Sequence, residues 1–207
     1  SKISSKGLNA FCFGIYVDTA FEEEIAKTFG YKVYCFDPTP KAISYMNSRD
    51  KEVELEFHPQ ALWIKDCKKK FYFLESDLDS EEMSGSLLEG HGDSKEYIDV
   101  DCLSLETFMK NLKINKVDLL KMDIEGAAFE VLDFLQKNQP QLLPSQITAE
   151  IEIPKLESSD DEIGNKFKIF MNRLYDFLDL ISKYVFLVNI GFAYFCSYHR
   201  YMKKRSY

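Results

Sequence analysis

Residues 117–126 read Val-Asp-Leu-Leu-Lys-Met-Asp-Ile-Glu-Gly. The mostly apolar first six residues predict a short buried strand from Val117 to Met122. Asp123 and Glu125 follow at the carboxyl end of this strand, and the spacing of the next apolar residues predicts a helix from Ala127 to Lys137. A strand that passes through an acidic turn into a helix is typical of a parallel α/β sheet.

The amino-terminal region has the same alternation of strands and helices. An apolar run from Asn9 to Val17 predicts the first strand, and Lys32 to Phe36 predicts the second. The helix expected between them ends near Gly30, a residue that commonly terminates helices. A second helix follows, so this region predicts two parallel strands joined by a right-handed crossover, with a helix leading on from the second strand.

Three predicted helices have capping residues at their starts. Thr19 and Glu22 have the spacing of a capping box, in which a hydroxyl and a carboxylate bind free backbone amides. Thr39 is a candidate N-cap with Pro40 at the first helical position, and Ser104 is a candidate N-cap for the helix that ends near Leu112.

The rest of the chain predicts further strands and one long loop. Strands are expected at Val53 to Phe57, Glu96 to Leu103 and Gln146 to Ile153, with a further extended segment at Lys70 to Leu74. The segment from Glu75 to Lys95 is acidic and rich in serine and glycine, which predicts a loop long enough to act as a lid.

The carboxyl-terminal region predicts an antiparallel hairpin. Two apolar runs, Val185 to Ile190 and Phe192 to Arg200, are joined at Gly191. The whole chain, residues 1–207, therefore predicts a single α/β domain whose mostly parallel sheet ends in a hairpin.

Charge and cysteine content exclude several classes of function. The chain has 26 basic and 34 acidic residues, a net charge of −8, which argues against binding to a nucleic-acid backbone. Its five cysteines are widely spaced without a Cys-x-x-Cys pair, which favours reduced thiols and a cytoplasmic location. No run reaches the ~18 apolar residues of a membrane span.

Acidic residues follow the carboxyl ends of the predicted strands, where open α/β sheets bind ligands. They are Asp18, Asp37, Asp123 and Glu150. Asp37 comes 23 positions after Gly14, a spacing that suits a carboxylate accepting hydrogen bonds from a ribose diol.

Simpler structural roles explain the same residues. Asp37 can start the turn that leads into the second helix, and Asp123 and Glu125 can stabilise a helix amino terminus through its dipole. The glycine run of dinucleotide-binding loops is missing around Gly14, which argues against a dinucleotide site.

Residues 117–132 resemble the most recognisable segment of the FkbM-type methyltransferase family, which depends on S-adenosylmethionine. Shorter similar segments occur in the order of that family and extend the resemblance over roughly residues 10 to 152. They are Phe13-Gly14-Ile15, Phe36-Asp37-Pro38-Thr39-Pro40, Phe57-His58-Pro59, Ser84-Gly85-Ser86-Leu87, and Pro144-Ser145-Gln146-Ile147 leading to Glu150.

The resemblance implies a class I, Rossmann-like methyltransferase fold: a mostly parallel seven-stranded sheet with helices on both faces. It places Gly14 and Asp18 beside the methionine part of S-adenosylmethionine, and Asp37 at the ribose hydroxyls. It also places the segment from His58 to Leu62 near the adenine, and Asp123 at the amino end of the cofactor.

The expected activity is O-methylation of a small hydroxylated molecule, such as a sugar or glycan. Asp123, Glu125 and Glu150 are the candidate catalytic residues. One of these carboxylates would accept a proton from the acceptor hydroxyl, or hold a divalent cation such as magnesium that lowers the pKa of that hydroxyl.

Two other functions stay open. A non-catalytic binding module with this fold is favoured by Tyr16 and Val17, which replace glycine in the first loop, and by Glu152, which replaces a family histidine. A nicotinamide-dependent oxidoreductase would explain Asp37, but it needs the glycine run that this sequence lacks.

Overall fold

The structure is a computed structural model that describes residues 7–50, 52–73, 85–89, 96–151 and 185–190, with the backbone alone for residues 151 and 185–190. The strands, in chain order, are β1 (Asn9–Phe13), β2 (Lys32–Phe36), β3 (Glu56–His58), β4 (Ala61–Leu62), β5 (Cys67–Phe73), β6 (Gly85–Ser86), β7 (Tyr97–Leu103), β8 (Leu119–Met122), β9 (Gln146–Ile151) and β10 (Val185–Ile190). The helices are α1 (Ala20–Phe29), α2 (Pro40–Ser48), α3 (Leu105–Leu112) and α4 (Ala127–Asn138), with a short 3-10 helix at Pro140–Leu142.

The main sheet has six described strands in the order β10-β9-β8-β1-β2-β3, and every neighbouring pair is parallel. The chain runs outward from β1 through β2 to β3, then returns to the other side of β1 and continues through β8, β9 and β10. The strand order therefore reverses between β1 and β8, and the carboxyl ends of these two strands form the crevice in which such sheets bind ligands.

Helices cover both faces of this sheet, as expected. Alternate residues of β1 point to opposite faces, so Ala10 and Cys12 join one buried cluster while Phe11 and Phe13 join another. The first cluster includes residues of α1 and α2, and the second includes residues of α3 and α4. Because β1 is buried on both faces, it reads as a continuous apolar run.

A second, smaller sheet was not predicted. Its order is β4-β7-β5-β6; β5 is antiparallel to β6 and β7, and β4 is parallel to β7. Residues of β4 and β7 belong to the cluster that contains Phe11 and Phe13, and Cys67 and Phe71 of β5 pack against it. The second sheet therefore packs over one side of the main sheet.

The strand boundaries differ from the prediction where the backbone must turn. The first strand ends at Phe13 rather than Val17, because Gly14 takes a left-handed conformation with φ of 76°. The described part of the main sheet has six strands, so the predicted seventh strand is not confirmed. The second half of the predicted hairpin, Phe192 to Arg200, lies outside the described residues, as does most of the predicted lid apart from Gly85–Glu89.

Two of the predicted helix caps are confirmed. The hydroxyls of Thr39 and Ser104 accept hydrogen bonds from backbone amides at the starts of α2 and α3. The capping box of Thr19 and Glu22 was wrong: Thr19 makes no side-chain cap, and Glu22 is buried. None of the helices in the described ranges is both long and apolar enough to cross a membrane.

Candidate functional site

A cavity of about 340 Å³ opens at the carboxyl ends of β1, β2, β8 and β9, beside the point where the strand order reverses. The second sheet forms part of its wall. The lining residues are Phe13, Gly14, Tyr16, Phe36, Asp37, Pro38, Thr39, Gln60, Ala61, Leu62, Phe71, Gly85, Leu87, Asp123, Ile124, Glu125 and Glu150. The volume falls in the range of small-molecule sites, and the lining combines an apolar wall with a few polar groups, as such sites do.

Gly14 brings the loops after β1 and β8 into contact. Its N–H donates to the carbonyl of Phe36 over 2.9 Å, and the N–H of Asp123 donates to the carbonyl of Phe13 over 3.1 Å. A Cβ atom on Gly14 would lie 1.7 Å from the carbonyl oxygen of Asp123. Only glycine fits this close approach with its left-handed φ.

Asp37 is buried, with 5% of its surface exposed, and it holds the loop after β1 against the loop after β2. Its Oδ2 accepts from the N–H of Tyr16 over 2.9 Å. Its Oδ1 accepts from the N–H of Thr39 over 2.9 Å and from the Thr39 hydroxyl over 2.6 Å. A carboxylate has about four acceptor positions, so these three donors leave one of them.

Burial raises the pKa of Asp37 above its usual value, although the hydrogen bonds from Thr39 and Tyr16 and the charge of Lys121 act in the opposite direction. Desolvation disfavours the ionised carboxylate, whereas nearby donors and cations favour it. The donors around Asp37 therefore offset part of the free-energy cost of burying its charged form.

The acidic loop after β8 is held in an unusual backbone conformation. Glu125 and Gly126 both have positive φ, 49° and 80°. The buried Ser86 hydroxyl donates to the carbonyl of Glu125, and this bond ties β6 to the loop. Asp123 is exposed at the cavity surface, and Glu125 also lines the cavity.

Glu150 reaches the same cavity from β9. Ala149 pairs with Met122 of β8, so Glu150 occupies the next position along the strand, beside Asp123. Carboxylates from Asp37, Asp123, Glu125 and Glu150 therefore share one cavity, as three separate strand ends would place them. No group of three or more His, Cys, Asp or Glu residues within the described ranges is arranged to hold a metal ion.

Asp18 does not line the cavity. It is exposed, and its Oδ1 accepts from the N–H of Ala20 over 2.8 Å at the start of α1. Val17, 40% exposed, also lies outside the lining. Tyr16 does line the cavity, and its φ of 47° places it in the left-handed region that few residues other than glycine adopt.

The segment predicted to pass near an adenine lies partly at the cavity. Gln60, Ala61 and Leu62 line it, whereas His58 packs on Phe36 with ring centroids 5.4 Å apart and lies outside the lining. Glu152 lies outside the described residues.

Sequence reasoning missed several lining residues for two reasons. The sequence predicts Thr39 as a helix cap and Asp37 as a turn residue, but an Asp-x-Thr spacing also favours hydrogen bonds from Thr39 to Asp37 that bring Thr39 to the cavity. Phe71 and Leu87 belong to distant parts of the chain that reach the cavity through the second sheet, and no local pattern indicates this packing.

A comparison with curated proteins and with solved structures found no match. A comparison with family models found one described as the methyltransferase FkbM domain, which matches residues 11–186. The matched range begins within β1, contains the acidic loop after β8 and ends at the start of β10. Since the match extends over most of its length, the chain belongs to the family of FkbM methyltransferase domains.

Proposed function

We propose that this chain is an S-adenosylmethionine-dependent methyltransferase that acts on a hydroxyl group of a small acceptor, such as a sugar or glycan. The observation that carries the proposal is the cavity with four carboxylates at the strand-order reversal of an FkbM domain. Methyltransferases of this kind generally use S-adenosylmethionine, which supplies a methyl group bound to a positively charged sulfur.

The residues of the cavity suit this cofactor. Gly14 lines the cavity beside the proposed methionine part, and its lack of a side chain lets the loops after β1 and β8 approach each other there. The remaining acceptor position of Asp37 can take one ribose hydroxyl, instead of the two hydrogen bonds expected from the sequence. Leu62 and Phe71 provide apolar surface for the adenine, and Gln60 provides an amide for its polar edge.

The acceptor would bind between the loop after β8 and the end of β9. In-line methyl transfer needs alignment and the exclusion of water more than it needs a strong base. We assign proton acceptance from the acceptor hydroxyl to Asp123 or Glu150, with Glu125 as the third carboxylate of the group. A magnesium ion would take its oxygen ligands from these carboxylates, but no three of them within the described ranges are arranged as a metal site.

A second candidate function is a binding module that has kept this fold without catalysis. The side chain of Tyr16 supports it, because a phenol ring takes up space in a cavity where the resemblance leads one to expect glycine. Val17 no longer supports it, because that side chain is exposed and lies outside the lining.

Calorimetric titration with S-adenosylmethionine and S-adenosylhomocysteine, each with and without magnesium, tests the proposal. We expect micromolar binding to the unmodified chain. The variant Asp37→Asn should bind roughly 5- to 150-fold more weakly, because loss of a charge-assisted hydrogen bond costs about 1–3 kcal/mol. Asp18→Asn is the matched control, because it makes the same chemical change outside the cavity and should bind normally.

Thermal unfolding of both variants will distinguish a lost ligand contact from a lost fold. If Asp18→Asn and Asp37→Asn weakened ligand binding equally, the assignment of this cavity as the cofactor site would be contradicted. No binding of either ligand by a folded protein would favour the non-catalytic module.

A further inference from the structure

Two cysteines of the second sheet lie directly opposite each other. Cys67 of β5 pairs with Cys102 of β7 in the antiparallel register, and both are free thiols. Opposite residues of antiparallel strands have Cα atoms about 4.5–5.5 Å apart. This separation falls within the range of about 4.4–6.8 Å that a disulfide requires.

The two thiols differ in their access to solvent. Cys102 is 1% exposed, whereas Cys67 is partly exposed and its Sγ lies 3.5 Å from the carbonyl of Lys65. Burial and the neighbouring Cys67 thiol raise the pKa of Cys102 to about 12. An oxidant from solution therefore reaches Cys67 first.

A second pair of cysteines provides an internal comparison. Cys12 of β1 and Cys35 of β2 are also opposite each other, but in a parallel pair, and neither has any exposed surface. An oxidant cannot reach these thiols without opening the main sheet. The two pairs thus differ in access, although both have thiols on neighbouring strands.

We propose that Cys67 and Cys102 form a reversible disulfide in the presence of a disulfide oxidant such as oxidised glutathione. The Cys67 thiolate attacks one glutathione sulfur and releases the first glutathione thiolate. Cys102 then loses its proton to water and attacks the Sγ of Cys67, which releases the second thiolate. The two cysteines are oxidised, oxidised glutathione is reduced to two thiols, and the two protons lost by the cysteines balance them.

The disulfide would join strands that support the cavity wall. β7 holds β4, whose residues Ala61 and Leu62 line the cavity, and β5 contributes Phe71. Closing the long chain segment between the two cysteines restricts the unfolded state. We expect the oxidised protein to melt roughly 5–15 °C higher than the reduced protein.

The test treats the full chain with oxidised glutathione at mildly alkaline pH, where thiolates form more readily. Free thiols are then blocked with N-ethylmaleimide after denaturation, counted by intact mass and located by a non-reducing peptide map. We expect two blocked thiols fewer than in the reduced protein, a peptide linking Cys67 to Cys102, and full reversal by dithiothreitol. Cys67→Ser should abolish the link, whereas Cys196→Ser, which removes a cysteine outside the described residues, should keep it.

Other outcomes of the same map would overturn the proposal. These are a glutathione left on Cys67 with Cys102 still free, a link that involves any other cysteine, or the full set of free thiols after treatment. Circular dichroism will show whether Cys67→Ser is folded, and Cys102→Ala provides a second variant if it is not. None of these readouts depends on whether the chain binds S-adenosylmethionine.

Discussion

Gly14 is the residue at which the loops after β1 and β8 touch, so a side chain there should be costly. We expect Gly14→Ala to lower the free energy of unfolding by more than the ~1–2 kcal/mol of a left-handed alanine, because its Cβ would also collide with the Asp123 carbonyl. Urea denaturation measures the change. Gly7→Ala is the matched control: Gly7 has a φ of 84° with no atom within 4 Å of an added Cβ, so it reports the conformational cost alone. Equal effects of the two substitutions would contradict the collision.

The sequence predicts several individual residues of the site, but it does not predict the contacts that these residues make. Asp37 and Asp123 were found because they follow apolar runs, and parallel strands bring their carboxyl ends to one edge. The three donors to Asp37 come from two loops that are distant in sequence, the loop after β1 and the loop after β2. Neither loop alone therefore shows how many hydrogen bonds the Asp37 carboxylate can still accept. Asp18 has the same position after a strand, yet it serves as a local turn residue.

A partly buried ion pair joins Glu23 of α1 to Arg49, the residue that follows α2. Arg49, whose side chain is 5% exposed, donates to Glu23 over 2.9 Å and to the carbonyl of Val53. We expect Arg49→Met to lower the unfolding free energy by about 1–3 kcal/mol, because the Val53 carbonyl loses its donor and Glu23 keeps only the Thr19 hydroxyl and the exposed Lys27. Lys27→Met is the control, since Lys27 pairs with the same carboxylate from an exposed position and its loss should have little effect.

The pH dependence of this pair has a definite sign. The hydrogen bond from Arg49 holds the pKa of Glu23 below its usual value, so the pair stabilises the fold above the pKa of the unfolded state. That contribution is lost as the pH falls through the lower pKa of the folded state. The difference between the unmodified chain and Arg49→Met, measured by urea denaturation, should therefore shrink on acidification. A difference that stays constant with pH would assign the effect to Val53 alone.

The capping residues at helix starts could be predicted where the cap is local. The prediction was wrong where a charge distant in sequence binds the capping residue. Thr39 caps its own helix through a hydrogen bond three residues ahead. Glu22 was expected to complete a local capping box, but it lies on the buried face of α1 and forms an ion pair with Lys121 over 3.1 Å. Lys121 is largely buried on β8, and a buried charge needs a partner. The two residues are far apart in sequence, so only the folded chain shows this competition.

The whole molecule combines a predictable sheet with an unpredicted one. The main sheet follows from alternating strands and helices that are adjacent in sequence. Of the strands in the second sheet, only β6 lies in the segment from Glu75 to Lys95 that the sequence predicts to be a loop. The strands β5 and β7 coincide with expected extended segments, but local periodicity does not indicate which strands pair. The contribution of the second sheet to the cavity explains why the polar half of the site was foreseen and much of the apolar wall was not.

The charge of the cavity leads to a prediction about ligand choice. Four carboxylates around one cavity should favour the positively charged sulfur of S-adenosylmethionine over the neutral sulfur of S-adenosylhomocysteine. Glu150→Gln should therefore weaken binding of the first ligand by about 2- to 10-fold more than binding of the second, and added salt should reduce the difference. Competition titrations at low and high salt measure both effects.

Glu24→Gln is the matched control, because it removes the same charge from a chain of net charge −8 at an exposed position on α1 outside the cavity lining. If both variants shift the preference equally, the overall charge of the chain is responsible and the cavity is not. If Glu150→Gln weakens both ligands equally, Glu150 acts through shape or hydrogen bonding. Only a selective loss at Glu150 would show that the acidic cavity recognises the charge on the methyl donor, because that loss depends on both the position of the carboxylate and the charge of the ligand.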